Sequence, residues 1–201
     1  IKCYSMPNLN DETEITLGIL SAIEENNRIT QRSVAEEIGI ALGLANSYLK
    51  KCIKKGFVKV IRAPANRYVY YLTPEGFSEK SRLTAEYLSI SFNFFRLARA
   101  QCNDLFEICQ SNDWQRIVLY GCSELAEIAK LVSVSFPVEI IGIVDINGSH
   151  STFNGMKVFN NLDELTNIEA VIITDLQESQ KSYETLRNSF ETSQIIVPEF
   201  L

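Results

Sequence analysis

The sequence predicts two domains of different class: an α+β domain of three helices and a β-hairpin, and, after a long linking helix, a small α/β domain with a parallel sheet. Charge divides the chain, because residues 1–116 hold 15 basic and 13 acidic side chains, whereas residues 117–201 hold 4 and 12. Apolar residues recur at helical spacing in the first part, and strands alternate with helices in the second. We place the domains at 1–73 and 113–201, with the linking helix at 74–112.

Three helices are predicted in the first domain. The first begins with the cap and acids at 10–12 and runs to the polar break at 25–27, and its apolar face comprises Ile15, Ile19, Ala22 and Ile23. Thr30 caps a short second helix. A third helix follows the connection at 40–43 and ends at Gly56. Its inward positions are Ala45, Leu49, Cys52 and Ile53.

Two strand-like runs follow the third helix, at 57–61 and 68–72, and the loop between them carries a basic residue at each end. A helix, a short helix, a turn, a third helix and a β-hairpin are, in this order, the elements of a winged helix-turn-helix. We therefore predict that fold for the first domain.

Residues 38–74 contain seven basic side chains and no carboxylate, although the chain as a whole has a formal net charge of −6. A patch opposite in sign to the rest of a protein indicates an anionic partner, of which the phosphate backbone of nucleic acid is the commonest. If the third helix turns its apolar positions inward, its outer face is polar and cationic. The candidate DNA-binding residues are Asn46, Ser47, Lys50, Lys51 and Lys54 on that face, with Arg62 and Arg67 at the two ends of the hairpin loop.

These side chains suit a helix that lies in the major groove of double-stranded DNA. The amide of Asn46 can bond both polar groups on the edge of adenine, and the hydroxyl of Ser47 can donate or accept. A lysine such as Lys50 meets either guanine or phosphate, while arginines on the hairpin reach the flanking backbone or the minor groove. The alternative is a solvated, lysine-rich helix face with no ligand. The order of elements and the lack of acids favour DNA binding.

The same stretch resembles winged-helix repressors of the MarR type, and more closely their exopolysaccharide-associated branch. The likeness rests on Ile38-Gly39-Ile40-Ala41-Leu42-Gly43, Asn46, Leu49-Lys50, Lys55-Gly56-Phe57-Val58-Lys59-Val60 and the exit from the hairpin, Tyr70-Tyr71-Leu72-Thr73-Pro74-Glu75-Gly76. It covers residues 10–100. The resemblance implies sequence-specific DNA binding, regulation of transcription, and base-reading roles for Asn46, Ser47 and Lys50.

A long helix is predicted from Glu75 to Gln110, because Pro74 suits its first turn and no further proline occurs until Pro137. Its apolar stripe is too wide for one small domain to cover. The stripe comprises Leu83, Tyr87, Ile90, Phe94, Leu97, Leu105 and Ile108, with Leu88, Phe92, Phe95 and Phe106 beside it. Either the second domain or a second copy of the chain packs on it. We favour a homodimer, because it pairs two third helices on a palindromic site.

The second domain alternates strands with helices. Strands are predicted at 116–120, 138–144, 155–159, 170–174 and 194–198, and helices are predicted from Ser123, at 162–165 and around 182–190. Continuous apolar strands joined by helices indicate a Rossmann-like parallel sheet with right-handed crossovers.

Gly121, Cys122 and Ser123, between the first of these strands and its helix, and Asp145, after the second strand, are candidate ligand-binding residues. A helix N-terminus attracts phosphate, and an acid at the second position can bind a ribose hydroxyl. The glycine pattern of dinucleotide sites is incomplete, because Ser123 replaces a glycine and Glu124 adds negative charge. A nucleotide, CoA-like or sugar-nucleotide effector is one alternative, and a sheet used only for contacts is the other; no resident cofactor is predicted. Cys122 suggests a redox sensor, although burial explains a cysteine there equally well.

This half resembles the small Rossmann-like N-terminal domain of bacterial sugar acetyltransferases of the left-handed β-helix type. The compared segments are Gly121-Cys122-Ser123, Ile140-Ile141-Gly142-Ile143-Val144-Asp145 and Gly155-Met156-Lys157-Val158-Phe159. The resemblance implies the fold and a sugar-nucleotide site. The hexapeptide repeats that those enzymes use for acetyl transfer are absent from this sequence.

Together these features predict a DNA-binding transcription regulator, not an enzyme, whose second domain senses a nucleotide-like metabolite or contacts a protein, and which controls polysaccharide genes. An enzyme that binds a nucleotide or sugar-nucleotide, and an adaptor, are the alternatives. A single histidine, His150, argues against a histidine-based metal site or catalytic triad. Five cysteines without a CxxC pair, and no signal-peptide pattern or membrane-length apolar segment, predict a cytoplasmic protein with no membrane partner.

Overall fold

The computed structural model describes residues 11–64, 67–146, 148 and 151–201, apart from the side chains of Asp11, Ala63 and Arg67. These residues fall into two compact units: an N-terminal unit that ends at Phe92 and a C-terminal unit that begins at Asn93. The division lies within the predicted linking helix. The predicted cap Asn10 and the histidine His150 lie outside the described residues.

The N-terminal unit begins with three helices, α1 (Asp11–Glu25), α2 (Gln31–Glu37) and α3 (Leu42–Lys54). Thr30 caps α2 as predicted, because its hydroxyl accepts from the amide of Ser33 and the hydroxyl of Ser33 accepts in return from the amide of Thr30. Gly56 follows α3 with a φ of 78°, a left-handed conformation that favours glycine.

Two details of α3 differ from the prediction. The helix begins at Leu42, so the second half of the predicted connection is helical. Ile53, predicted to face inward, is 36% exposed, while Ala45, Leu49 and Cys52 are buried. Ile53 follows Cys52 directly and lies about 100° around the helix axis from it, so the two side chains cannot both point into a narrow core.

A two-stranded antiparallel sheet, which we call the wing, follows the three helices, with β1 (Val58–Ala63) paired to β2 (Arg67–Leu72). Both strands extend further towards the turn than predicted, so the connection between them is short. The core of the unit lies between the helices and the inner face of this hairpin, and its buried members are Ile19, Leu20, Ala22, Ile23, Ile29, Val34, Leu49, Cys52, Val58, Tyr70 and Leu83. Three of the four residues on the predicted apolar face of α1, Ile19, Ala22 and Ile23, are buried in this cluster, and the fourth, Ile15, packs at its edge.

A single helix, α4 (Pro74–Ser111), follows the wing. Its 38 residues span about 57 Å without a break. Leu83 and Leu105 of the predicted stripe are buried, whereas Leu97 and Ile108 are about half exposed. Four other large apolar side chains on α4 are also exposed: Phe77, Leu88, Phe92 and Phe95.

The C-terminal unit contains one six-stranded sheet. Its strands are β3 (Arg116–Tyr120), β4 (Glu139–Val144), β5 (Thr152–Phe153), β6 (Met156–Phe159), β7 (Ala170–Ile173) and β8 (Ile195–Ile196). They lie in the order β5-β6-β4-β3-β7-β8, and every neighbouring pair is parallel except β5 and β6. The predicted parallel α/β arrangement is therefore present, with one short antiparallel edge strand that was not predicted.

Two helices belong to this sheet, α5 (Glu124–Ser133) and α6 (Ser179–Leu186). The helix predicted around 182–190 lies three residues earlier, and the segment predicted as a helix at 162–165 is a short 3₁₀ turn at Leu162–Glu164. Alternate residues of β3 enter different cores: Leu119 packs with Phe106 and Leu125, whereas Val118 packs with Val171 and Leu186. Both faces of the central strands are thus covered, which explains their continuous apolar sequences.

Candidate nucleic-acid interface

The outer face of α3 collects the residues predicted to contact DNA. Ser47, Lys50 and Lys54 are exposed, on the side of the helix away from the buried Ala45 and Leu49. They line a shallow open groove of about 330 Å³ together with Gly43, Asn46 and Lys51. The structure therefore brings all five predicted α3 residues to one surface.

Lys51 is held differently from its neighbours. Its Nζ lies 3.6 Å from Oε1 of Glu12 on α1 and 4.5 Å from the centre of the Tyr48 ring. Among the described residues no ion pair involves Lys50 or Lys54. The ammonium groups of Lys50 and Lys54 are thus the stronger candidates for phosphate contacts, and Lys51 stands at the border with α1.

Asn46 has a feature that the sequence does not reveal. Its side-chain oxygen is buried, and it has no hydrogen-bond partner within the described parts of the chain. A buried polar atom without a partner costs about 1–3 kcal/mol relative to a hydrogen-bonded one. The free protein therefore carries the energetic cost of an unpaired polar atom at the residue that is predicted to recognise a base.

The wing contributes two exposed side chains that face the same way. Arg62 on β1 lies directly across from Tyr68 on β2, so both project from one face of the hairpin. Arg62 is exposed, and Tyr68 is 55% exposed. The side chain of Arg67, the other predicted wing contact, lies outside the described residues. Tyr68 was missed by sequence reasoning; its register opposite Arg62 was the available signal.

In the C-terminal unit, the turn after β3 is closed against the loop after β7. Gly121 has a φ of 106°, and a Cβ on it would lie 2.7 Å from the Cα of Asp175. The hydroxyl of Thr174 donates to the carbonyl of Gly121 at 2.6 Å, and the hydroxyl of Ser123 donates to the carbonyl of Thr174. Ser123 also caps α5 by accepting from the amide of Leu125. The helix N-terminus is therefore partly occupied by the protein's own groups.

The same edge of the sheet is acidic. Burial would raise the pKa of Asp175, but hydrogen bonds from the amides of Glu178 and Gln177 and the hydroxyl of Ser182 outweigh it, and its pKa is lowered overall. The first turn of α5 adds Glu124 and Glu127. This negative charge disfavours the binding of a pyrophosphate at the predicted Gly121 turn.

Cys122 and Asp145 meet at this edge. Burial, together with the charge of Asp145 and a hydrogen bond to that carboxylate, raises the pKa of the Cys122 thiol to about 12. The thiol is therefore protonated at neutral pH, whereas a thiolate is the reactive form. The chemistry of a peroxide- or disulfide-sensing cysteine does not suit this position.

No group of histidine, cysteine, aspartate or glutamate side chains suited to a metal ion occurs among the described residues. Within the same residues, no helix combines the length and apolar character needed to cross a bilayer.

Residues 12–59 match a family model described as "Winged helix-turn-helix DNA-binding". No curated protein matches the chain. Among solved structures it is similar to the PcaV transcriptional regulator from Streptomyces coelicolor, with 21% identity over 41% of this chain and 62% of that one, at a TM-score of 0.38. It is also similar to ZitR from Lactococcus lactis, a zinc-responsive MarR family member, with 22% identity over 49% of this chain and 67% of that one, at a TM-score of 0.36.

A third similar structure is human N-acetylserotonin methyltransferase, with 11% identity over 93% of this chain and 75% of that one, at a TM-score of 0.34. The chain spans less than two thirds of the length of the PcaV regulator. TM-scores of this size assign neither an activity nor a ligand to the chain. The family match is local: it covers residues 12–59, which match the winged helix-turn-helix model of the DNA-binding type.

Proposed function

We propose that this protein is a sequence-specific, DNA-binding regulator of transcription of the MarR type. The observation that supports this most directly is the exposed face of α3, where an amide, a hydroxyl and lysines line one open groove. A solvated lysine face without a ligand would not need an amide and a hydroxyl beside the lysines. Here these groups line one groove, and the groove lies in a segment that matches DNA-binding winged helices.

In this proposal α3 lies in the major groove. Asn46 and Ser47, in its first half, read base edges, and Lys50 and Lys54, in its second half, bind phosphates or guanine. Arg62 and Arg67 of the wing contact the backbone or the minor groove beside the site, and Tyr68 supports Arg62 there. Lys51 adds charge at the border of the contact surface.

We propose a homodimer through α4. The exposed Phe77, Leu88, Phe92 and Phe95 fall within an arc of about 60° when each residue advances about 100° around the helix. A row of large exposed apolar side chains on one helix face is typical of an interface. A second copy is the occupant that the DNA-binding role requires, because two-fold symmetric proteins read palindromic sites with two recognition helices.

The C-terminal unit is proposed to regulate DNA binding, either by binding an effector at Gly121, Cys122, Ser123 and Asp145 or by contacting a protein. The closed turn at Gly121 and the acidic surroundings favour an effector that offers hydroxyl or amino groups over one that offers a phosphate. The resemblance to the exopolysaccharide-associated branch makes polysaccharide genes the first targets to test. A regulator of this kind acts in the cytoplasm.

A gel-shift assay with genomic fragments tests the proposal. We expect a small set of fragments to bind at submicromolar protein, and the double variant Lys50→Glu with Lys54→Glu to lose at least about a hundredfold in affinity. Lys130→Glu with Arg187→Glu is the matched control, because it changes the net charge equally at exposed positions of the C-terminal unit. Equal loss in both double variants, or binding of all fragments alike, would contradict the proposal.

A further inference from the structure

The segment from Thr73 to Gly76 connects the wing to α4 and also holds the end of α3. The hydroxyl of Thr73 donates to the carbonyl of Gly56 at 2.6 Å and accepts from the amide of Gly76 at 3.0 Å. The amide of Thr73 donates to the carbonyl of Phe57 at 3.0 Å. Thr73 therefore caps the start of α4 and also binds Gly56 and Phe57, which lie two and three residues after the end of α3.

Gly76 permits an approach that another residue would block. A Cβ on Gly76 would lie 2.0 Å from the carbonyl oxygen of Phe57, which is far inside van der Waals contact with backbone that cannot swing away. The first turn of α4 therefore packs directly on the backbone that follows the recognition helix α3.

The other end of this contact is equally fixed. The amide of Gly56 donates to the carbonyl of Ile53, and the amide of Phe57 donates to the carbonyl of Cys52, so Gly56 and Phe57 close the last turn of α3. We name Gly56, Phe57, Thr73 and Gly76 the clamp. Through the clamp, hydrogen bonds connect the residues that end α3 to the residue that caps α4.

Further contacts fix α4 along the N-terminal unit. Lys80 pairs with Glu24 of α1, and Leu83 is buried in the core of the unit. Loss of the clamp would therefore leave the first turns of α4 attached, but with freedom at the point nearest α3.

We infer that the clamp is a positioning device that sets the distance and angle between the two recognition helices of the dimer. This inference rests on the proposed function, in which α4 joins the two copies. In the proposed dimer, α4 carries the interface and the clamp ties α3 to α4. A rigid clamp therefore fixes the distance between the two recognition helices, and the dimer binds half-sites at a single spacing. The clamp residues themselves need not touch DNA.

Selection of bound duplexes from a random pool, carried out with the full chain and its variants, tests the inference. Thr73→Val removes the hydroxyl while keeping the shape, and Thr73→Ser keeps the hydroxyl. Thr185→Val is the matched control, because the Thr185 hydroxyl donates to the carbonyl of Lys181 within α6 of the C-terminal unit. Thermal unfolding and dimer mass are recorded for each variant.

We expect the wild type, Thr73→Ser and Thr185→Val to select inverted repeats with a single spacing. Thr73→Val should select the same half-site at several spacings. Its affinity for an isolated half-site should stay within about twofold of wild type, while its affinity for the full site falls about tenfold or more, since a tenfold change corresponds to about 1.4 kcal/mol of lost preorganisation.

Two results would overturn the inference: an unchanged spacing in Thr73→Val, or a parallel loss for the half-site and the full site, which would show a merely structural role. Gly76→Ala provides a second, stronger variant, and the same readouts apply to it if it folds. If the wild type selects no repeated sequence, or is a monomer, the proposed function as a dimeric regulator is wrong. If the wild type selects one spacing and Thr73→Val selects the same one, only the role of the clamp is wrong.

Discussion

The amide of Asn46 lies in the groove of α3, yet its oxygen is buried without a partner among the described residues. At this residue binding and folding make opposite demands. A recognition residue must present both its amide oxygen and its amide nitrogen to a base. The free protein must therefore hold these polar groups without a base partner until DNA binds. Sequence reasoning placed Asn46 on the outer face because it is polar and spaced with Lys50 and Lys54, but spacing carries no information on whether an amide finds a partner.

Replacement of Asn46 by leucine should therefore stabilise the free protein by about 1 kcal/mol, because it removes the unpaired polar atom. The same change should abolish the preference for one base at one position of the site. Chemical denaturation and a binding series over all four bases measure the two effects. Asn103→Leu is the control, because the Asn103 amide already donates to the carbonyl of Arg99, and no gain is expected from it. A less stable Asn46→Leu protein would disprove the argument.

Burial keeps the thiols of individual cysteine residues protonated. Burial raises the pKa of the thiols of Cys102 and Cys109, like that of Cys122, to about 12. A sensor role for Cys122 was suggested by its place in the turn after β3, and the sequence could not show that Asp145 is hydrogen-bonded to it.

Alkylation of Cys122 by iodoacetamide at pH 8 should be roughly a thousandfold slower than that of an unhindered thiol, because a thiol with a pKa near 12 holds very little thiolate there. The rate should rise about tenfold for each pH unit between 7 and 9, as the thiolate fraction does. Mass-spectrometric peptide mapping separates Cys122 from the other four cysteines. A rate typical of free cysteine would show that the thiol is accessible and ionised.

Elements differ in how far the sequence determines them. Thr30 and Gly56 mark helix ends that the structure reproduces, because a capping hydroxyl and a left-handed turn are local requirements. Strand β5 and the bounds of α6 were predicted wrongly or not at all. β5 has two residues and depends on pairing with β6, and the N-terminus of α6 is fixed by Asp175, four residues before the helix. Neither signal lies within the element itself.

The long helix α4 illustrates the same limit. Its length and its excess of apolar residues could be predicted from the sequence, but which of those residues stay exposed depends on what packs against the helix. Phe92→Glu should convert a dimer into a monomer at about 10 µM, because it places a charge in the proposed interface. Analytical ultracentrifugation gives the mass. The monomer's own stability should change by no more than about 0.5 kcal/mol, since Phe92 is 56% exposed.

Leu97→Glu is the matched control for this experiment. Leu97 is 49% exposed and lies about 140° around α4 from Phe92, so its replacement should leave the dimer intact. A monomeric Leu97→Glu protein, or a monomeric wild type, would place the interface elsewhere.

At the scale of the molecule, charge separates the two roles. The N-terminal part carries the cations around α3, and residues 117–201 carry 12 acids against 4 bases. This asymmetry was available from composition alone, and it assigned DNA to the first part only. The ligand of the second part could not be predicted in the same way, because the Gly121 turn has the expected place in the sheet but is closed by Asp175.

A thermal-shift screen examines this second part. NAD and CoA should raise the unfolding temperature by less than about 1 °C at millimolar ligand, because a ligand stabilises only the folded state that binds it and the acidic, closed turn opposes phosphate. Unphosphorylated sugars and amines form the comparison set. A large shift with NAD or CoA would restore the nucleotide-binding alternative.

The DNA-binding role depends on the surface of α3 from Asn46 to Lys54, which is proposed to read base sequence. Its most direct test is the ratio of dissociation constants for a selected duplex and a scrambled duplex of the same length and composition, at about 150 mM salt. The selected duplex should bind at least about a thousandfold more tightly, and this ratio should fall about tenfold or more in Asn46→Leu, which removes a base contact. A wild-type ratio near one would contradict it.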